Sequence, residues 1–350
     1  MAYRRGTNVK DKLVRTALTD SNQRPGTHSC GQVVMNGLII IVILTNKRMH
    51  NVTYVLITNL AISDMLFAGV VLPQNIHDIS HTEDYFEGVL ACKLVTSLPI
   101  FFIGSAAYTL TMLSWERYRA IVETTKKQLT FHDSKFYVAG LWIASFIVII
   151  PTLIEYNVLE VIDTTSNDTN TTVVSCSMAE TSRMFTIVNV VFVTVTIYVL
   201  PLIIITINYT RVAMYINRMS KRINSDTGLS TTSNNFILHK RRLRIVSMLA
   251  MATLLFGLSW LPYFILHDII TIAGQSDSTE NDTIWNALRI ALAIFSTMYN
   301  FILYIKFSSQ FRKGLVSVLT RASAYVKCKQ GNNDAVNEMS VQPSPSITIS

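Results

Sequence analysis

Four stretches of this chain run for 19 to 27 residues without a charged side chain: Leu94–Trp115, Phe136–Ile154, Met184–Thr210 and Ile245–Leu266. At about 1.5 Å of rise per helical residue, each is long enough to cross a hydrocarbon core of roughly 30 Å. Two further stretches qualify with one charge apiece, Val52–Ile76 around Asp64 and Thr283–Ile305 around Arg289. A shorter apolar run, Val33–Leu44, precedes them; its 12 residues reach only about 18 Å. The pattern predicts an all-α membrane protein, a bundle of seven transmembrane helices.

Composition agrees: of 350 residues, 50% are hydrophobic and 15% charged, below the roughly 25% charge of an average soluble domain. The net charge of +8 could serve nucleic acid, anionic lipid or topology, and its distribution decides. With the N-terminus placed outside, 21 of the 30 basic residues fall on inner segments, and Lys93, Arg183 and Arg289 stand against thirteen outer acids. Because Lys and Arg collect on the cytoplasmic side, the N-terminus is expected outside and the tail inside. The positive charge is then a topology signal, with no nucleic-acid partner. The outer segment 1–30 carries six basic residues (Arg4, Arg5, Lys10, Lys12, Arg15, Arg24) and no signal peptide is recognisable; it reads as a mis-assigned first exon or a truncated helix 1.

The outer loops supply Asn-x-Thr sites for glycosylation at Asn167, Asn170 and Asn281. The same triplet at Asn51 and Asn208 falls on the inner side. Cys92, at the outer start of helix 3, and Cys176, in the second outer loop, share an oxidising compartment and are expected to form a disulfide. Cys30 and Cys328 lie outside the core, with Cys328 read as a plain thiol rather than a palmitoylated one. Residues 31–320 form the helical domain. The segment 321–350, with Ser340, Ser344, Ser346, Thr348 and Ser350, is too poor in apolar residues to fold and reads as a disordered cytoplasmic tail that recruits arrestin once phosphorylated.

From Asn36 to Arg312 the chain resembles the rhodopsin-like (class A) G-protein-coupled receptors. The likeness rests on Asn59-Leu-Ala-Ile-Ser-Asp64 in helix 2, Cys92 and Glu116-Arg117-Tyr118 in helix 3, Trp142 and Pro151 in helix 4, and Pro201 with Tyr209 in helix 5. Phe256 with Ser259-Trp260-Leu261-Pro262 in helix 6 and Asn300-Phe-Ile-Leu-Tyr304 followed by Phe311-Arg312 complete it. The resemblance implies a short amphipathic inner helix after helix 7 and a plasma-membrane location. It implies coupling to a heterotrimeric G protein through Glu116, Arg117, Tyr118, Tyr209, Phe256, Trp260, Asn300 and Tyr304, and a sodium ion held by Asp64, Ser296 and Asn300. Three departures stand out. Ala106 replaces the family's helix 3 serine ligand, Phe301 replaces the proline after Asn300, and Arg242 stands where an acid would lock Arg117, so raised ligand-free signalling is expected.

Chemistry narrows the ligand. Pro99 occupies the position of the aspartate that pairs with amines in the family, and Ile294 that of the retinal-linking lysine. By analogy the outer pocket is walled by Gln74, Asn75, Ile100, Ile103, Trp260, Tyr263, Phe264, His267, Asn286 and Ile290, with Glu155, Glu180 and Asp268 as nearby acids. Aromatic walls and an acidic rim suit a basic, amidated peptide. The stretches Met49-His-Asn-Val-Thr53 and Glu116–Thr130 are similar to receptors of the neuropeptide FF, orexin and neuropeptide Y neighbourhood. A receptor for a lipid or other small molecule remains open. A membrane metalloenzyme is not supported, since of seven histidines only His267 lies on a spanning segment. A transporter would show paired broken helices and repeats, and none are found.

Overall fold

The computed structural model describes residues 26–71, 88–163, 171–178, 182–225, 232–273 and 280–340. Along these the chain runs through α1 (Gly26–Thr45), α2 (Val52–Val71), α3 (Gly88–Ile121), α4 (Phe131–Glu155), β1 (Tyr156–Asp163), β2 (Thr171–Met178), α5 (Arg183–Ser225), α6 (Thr232–Ala273), α7 (Glu280–Phe307) and α8 (Ser309–Ser340). Among the described residues five helices are long and apolar enough to cross a membrane: Val52–Val71, Gly88–Ile121, Phe131–Glu155, Arg183–Met219 and Leu243–Ile269. Their outward faces are apolar. On α4, Ile143, Phe146, Ile147, Ile150 and Ile154 are exposed, a stripe that water would penalise and lipid accepts.

The ends and breaks of the helices follow from local chemistry. Asn46 caps the 3₁₀ turn Lys47–Met49 by accepting from the Arg48 N–H at 3.1 Å, and Asn51 caps α2 by accepting from the Tyr54 N–H at 3.3 Å. This is why Asn51 can match a glycosylation triplet on the inner side and still serve structure. Thr130 and Asp133 close a reciprocal capping box at the start of α4, at 3.1 and 3.2 Å. A π turn at Val195–Val199 precedes Pro201, absorbing the carbonyl that proline, with no N–H, leaves unpaired. At the corner between α7 and α8, Arg312 donates to the carbonyls of Ile305 and Lys306 at 2.8 and 3.0 Å, which supplies the missing partners of a helix C-terminus.

Three sequence expectations change. α1 begins at Gly26, not Val33, so its 20 residues give about 30 Å. The backbone bonds of a helix do not depend on side-chain polarity, and Gln32 and Asn36 are buried on the bundle side. Next, the fold is not wholly helical: β1 and β2 pair antiparallel, with Tyr156 opposite Met178 and Val158 opposite Cys176. The run Val158-Leu-Glu-Val-Ile162 and Val173-Val174 carried that β-branched signal. α8 also continues past Arg321 to Ser340, through residues read as disordered tail, because intrahelical hydrogen bonding needs no apolar core. α7, with Phe301 in place of the proline after Asn300, is one continuous helix in which the Phe301 ring stands edge-on to Phe311, centroids 5.9 Å apart.

Buried polar side chains tie the helices together. Asn36 of α1 donates to the Thr297 carbonyl of α7 at 3.1 Å. Asn59 of α2 donates to Thr109 of α3 at 2.7 Å and accepts from the Trp142 indole of α4 at 2.9 Å, while Ser63 meets Ser105 at 2.9 Å. Asn208 donates to Ser114 at 3.0 Å and is buried, so the second inner triplet is also structural. The disulfide Cys92–Cys176 fixes the outer hairpin to α3, its Cα atoms 5.5 Å apart. Replacing Asn59 by Leu strands the Trp142 N–H and removes the donor to the Thr109 hydroxyl, which keeps its own bond to the Ser105 carbonyl at 2.6 Å. Thermal unfolding of the solubilised protein is expected to show a loss of about 1–3 kcal/mol, with a smaller loss for Trp142→Phe, which strands one atom.

Candidate functional site

At the inner end of α3, Arg117 forms an ion pair with Glu116, its Nε 2.5 Å from Oε2. It also donates to the Thr53 hydroxyl of α2, and that hydroxyl lies 3.3 Å from Glu116 Oε2. Glu116 and Thr53 are buried. Arg117 is thereby held against α2, and Thr53 is a partner the sequence reading missed. Only packing brings residues 53 and 117 together. Tyr209 of α5 hydrogen-bonds Thr253 of α6 and lies within the field of Arg117 and Glu116. Tyr304 is buried, its ring 5.9 Å from Phe311. Tyr118 turns the other way: its hydroxyl meets Glu123 at 3.4 Å and its ring lies under Arg211 at 5.8 Å. Lys126 bonds Glu123 at 2.9 Å and holds its carboxyl below the ordinary value.

Midway through the bundle, Asn300 Nδ2 donates to Asp64 Oδ2 at 2.8 Å. A cavity of about 10 Å³ lies beside them, lined by Asp64, Ala106, Trp260, Ser296 and Asn300 among others, on the order of one water. Ala106 has no side-chain oxygen to offer and Ser105 is engaged with Ser63, which leaves the Asp64 carboxylate, Ser296 and the buried, unpartnered Asn300 Oδ1 as the side-chain oxygens expected for a cation.

Above the cavity an aromatic column climbs α6. Phe256 and Trp260 have centroids 6.4 Å apart, Trp260 and Tyr263 5.6 Å, and Tyr263 stacks on His267 at 5.8 Å. The spacing of four, three and four residues places them on one helix face. Phe67 of α2 stands edge-on to Trp260 at 5.6 Å, and Tyr198 of α5 packs on Phe264 at 4.9 Å while donating to the Gly257 carbonyl at 2.7 Å. Ile103, Trp260 and Phe264 are buried, with Ile100 packed against the same core. Asp268 is half-buried and accepts from Thr194 of α5 at 2.9 Å.

One expected rim acid is not on the rim. Glu155, the last residue of α4, is 2% exposed. It accepts from Asn189 Nδ2 of α5 at 2.6 Å, and the same nitrogen reaches Thr152 at 3.2 Å. The amide satisfies one carboxylate oxygen, while Oε1 is buried without a hydrogen-bond partner among the described residues; only the packing of α4 on α5 supplies Asn189. Gln74, Asn75, Glu180, Asn167 and Asn170 lie outside the described residues, as do the side chains of Asn281, Asn286 and Ile290, although these three positions are helical.

The profile of the 7 transmembrane receptor (rhodopsin family) matches residues 35–304, a span that holds Thr53, Asp64, Arg117, Asn300 and the aromatic column of α6. The chain belongs to this family of seven-transmembrane receptors. It is a multi-pass plasma-membrane protein and not an enzyme. Neuropeptide FF receptor 1 of Rattus norvegicus is 26% identical over 294 residues, covering 81% of this chain and 66% of the relative. The Neuromedin-K receptor of Homo sapiens is 28% identical over 282 residues (81% and 57%), and the Tachykinin-like peptides receptor 99D of Drosophila melanogaster 27% over 290 (81% and 53%). The chain thus spans between about half and two thirds of the length of these curated relatives.

The burial of Glu155 generates a stability prediction. Glu155→Leu leaves the Asn189 amide without its carboxylate partner and is expected to cost about 1–3 kcal/mol in thermal unfolding. Glu155→Gln, which keeps an acceptor, should cost less. Ligand potency should follow the amount of folded receptor alone.

Proposed function

We propose that this receptor binds an extracellular neuropeptide and activates a heterotrimeric G protein by rearrangement of its helices. The observation that carries the reading is the charged cluster Glu116–Arg117–Thr53 at one end of the bundle, with Asp64, Asn300 and Trp260 lining one cavity midway and the aromatic column of α6 continuing from Trp260 to His267. A buried ion pair with an extra hydroxyl partner is a two-state element: the arginine can exchange Glu116 and Thr53 for other partners when α3 and α6 shift. The N-terminus lies outside, seven helices span the bilayer, α8 lies on the inner face, and arrestin engages the phosphorylated tail.

The names of the relatives support a peptide ligand. Tyr263 and His267 offer stacking surfaces, and Asp268, half-buried beside Thr194, can pair with a basic group. A basic amidated peptide fits best, with a lipid or other small molecule as the second reading because the column is largely apolar. Glu155 drops out of the ligand contacts.

Arg117→Ala is expected to abolish nucleotide exchange on the G protein while leaving ligand binding intact; equal loss of both would point to misfolding. Thr53→Val removes one of the two restraints on Arg117 and should raise ligand-free exchange, measured in membranes of matched receptor content. Asp268→Asn should weaken a basic peptide by about 2–5 kcal/mol if the pair is desolvated. Unchanged potency across salt concentrations would favour the apolar small molecule.

A further inference from the structure

The seam between α4 and α5 buries a charge that no described residue balances. Glu155 and Asn189 are 2% and 5% exposed. Asn189 Nδ2 donates to Glu155 Oε2 at 2.6 Å and to the Thr152 hydroxyl at 3.2 Å, so both amide hydrogens are spent. The other oxygens of the same two head groups, Glu155 Oε1 and Asn189 Oδ1, are buried with no hydrogen-bond partner among the described residues. Two acceptors thus stand open on groups in direct contact, and one of them is the only carboxylate oxygen in that condition among the described residues. Such an arrangement is costly unless something positive completes it.

The position on the helix points the same way. Glu155 is the last residue of α4, where the helix dipole and the terminal carbonyls already present negative charge, so a cation is favoured there and an acid is not. Lys93 of α3 meets only part of this demand: its ammonium donates to the Leu153 carbonyl at 2.8 Å. The ion pairs among the described residues are Arg117 with Glu116 and Lys126 with Glu123, and Glu155 is in neither.

We infer that this seam binds a monovalent metal cation of the size of sodium, with Glu155 Oε1 and Asn189 Oδ1 as ligands and the Thr152 hydroxyl beside them. A water could donate to both open oxygens but would leave the charge buried; a metal ion answers both needs, and carboxylate, amide and hydroxyl oxygens are the ligands of hard cations. One formal charge matches a monovalent ion. Calcium takes six to eight oxygens and would leave a net positive charge in the seam. The site is separate from Asp64, which meets Asn300 of α7, and it does not depend on which ligand the receptor recognises. Because β1 follows Glu155 directly at Tyr156, a cation here would brace the base of the hairpin against α5.

The test is thermal unfolding of the full-length solubilised receptor in choline chloride or NaCl at equal ionic strength, with Asp64→Asn as background so that a cation at Asp64 contributes nothing. Sodium should raise the midpoint by about 2–4 °C. Glu155→Gln, which keeps an acceptor for Asn189, should unfold cooperatively in choline and lose the sodium response. Asn189→Asp, which adds a second carboxylate, should lower the sodium concentration at half effect several-fold. Equal midpoints in the two salts, or a sodium response that survives Glu155→Gln, would overturn the site. So would a sodium response that arises only after Lys93→Gln, since Lys93 would then be the counter-charge. A response to CaCl₂ but not NaCl would overturn the monovalent ion, and a Glu155-dependent rise on lowering the pH in choline, with no sodium response, would put a proton in its place.

Discussion

Hydrocarbon offers no hydrogen-bond partners, and nearly every feature of this receptor answers to that constraint. The backbone is resolved into long helices because each must satisfy its own N–H and C=O groups. The polar side chains left inside must find one another: Asn36 meets α7, Asn59 joins α2 to α3 and α4, Asn208 meets Ser114, Asn189 meets Glu155, and Asn300 meets Asp64. Five asparagines thus act as connectors between helices. An amide both donates and accepts, so one side chain can bridge two helices at once, as Asn59 does.

The same constraint makes a charged cluster at the membrane edge switchable. Glu116 is too buried to stand alone, and Arg117 has water within reach of the inner face, so their pairing is held by local geometry and by Thr53 rather than by a sealed core. Breaking one restraint costs little compared with burying a charge unpaired. The aromatic column on α6 has the opposite character. Its rings meet in turn, tilted at Phe256–Trp260, edge to face at Trp260–Tyr263 and stacked at Tyr263–His267, so a displacement of Trp260 is passed along by contact to its two ring neighbours.

At the outer end the disulfide and the β hairpin do what hydrocarbon does elsewhere. They hold a polar loop over the bundle through covalent and backbone bonds, because water competes for every side-chain contact there. The two ends of the receptor are therefore built differently. One end is fixed by Cys92–Cys176, whereas the other carries the Glu116–Arg117 ion pair.

The positions of the helices were legible in the residue string, because uncharged length is a local property that membrane thickness imposes. The disulfide was legible too, since it needed only two cysteines in one compartment, and so was the family, through motifs at fixed separations. Other features depended on neighbours distant in sequence. Polar residues at the start of α1 hid a helix that packing on α7 completes. Glu155 read as a rim acid until α4 and α5 placed Asn189 against it. Thr53 carried no signal at all, since its role exists only where α2 passes α3. The approach of α8 to α1 at Gly314 likewise arises from contact between segments more than 250 residues apart. Local hydrophobicity decides which segments enter the membrane; which polar atoms then meet is decided by how the helices pack.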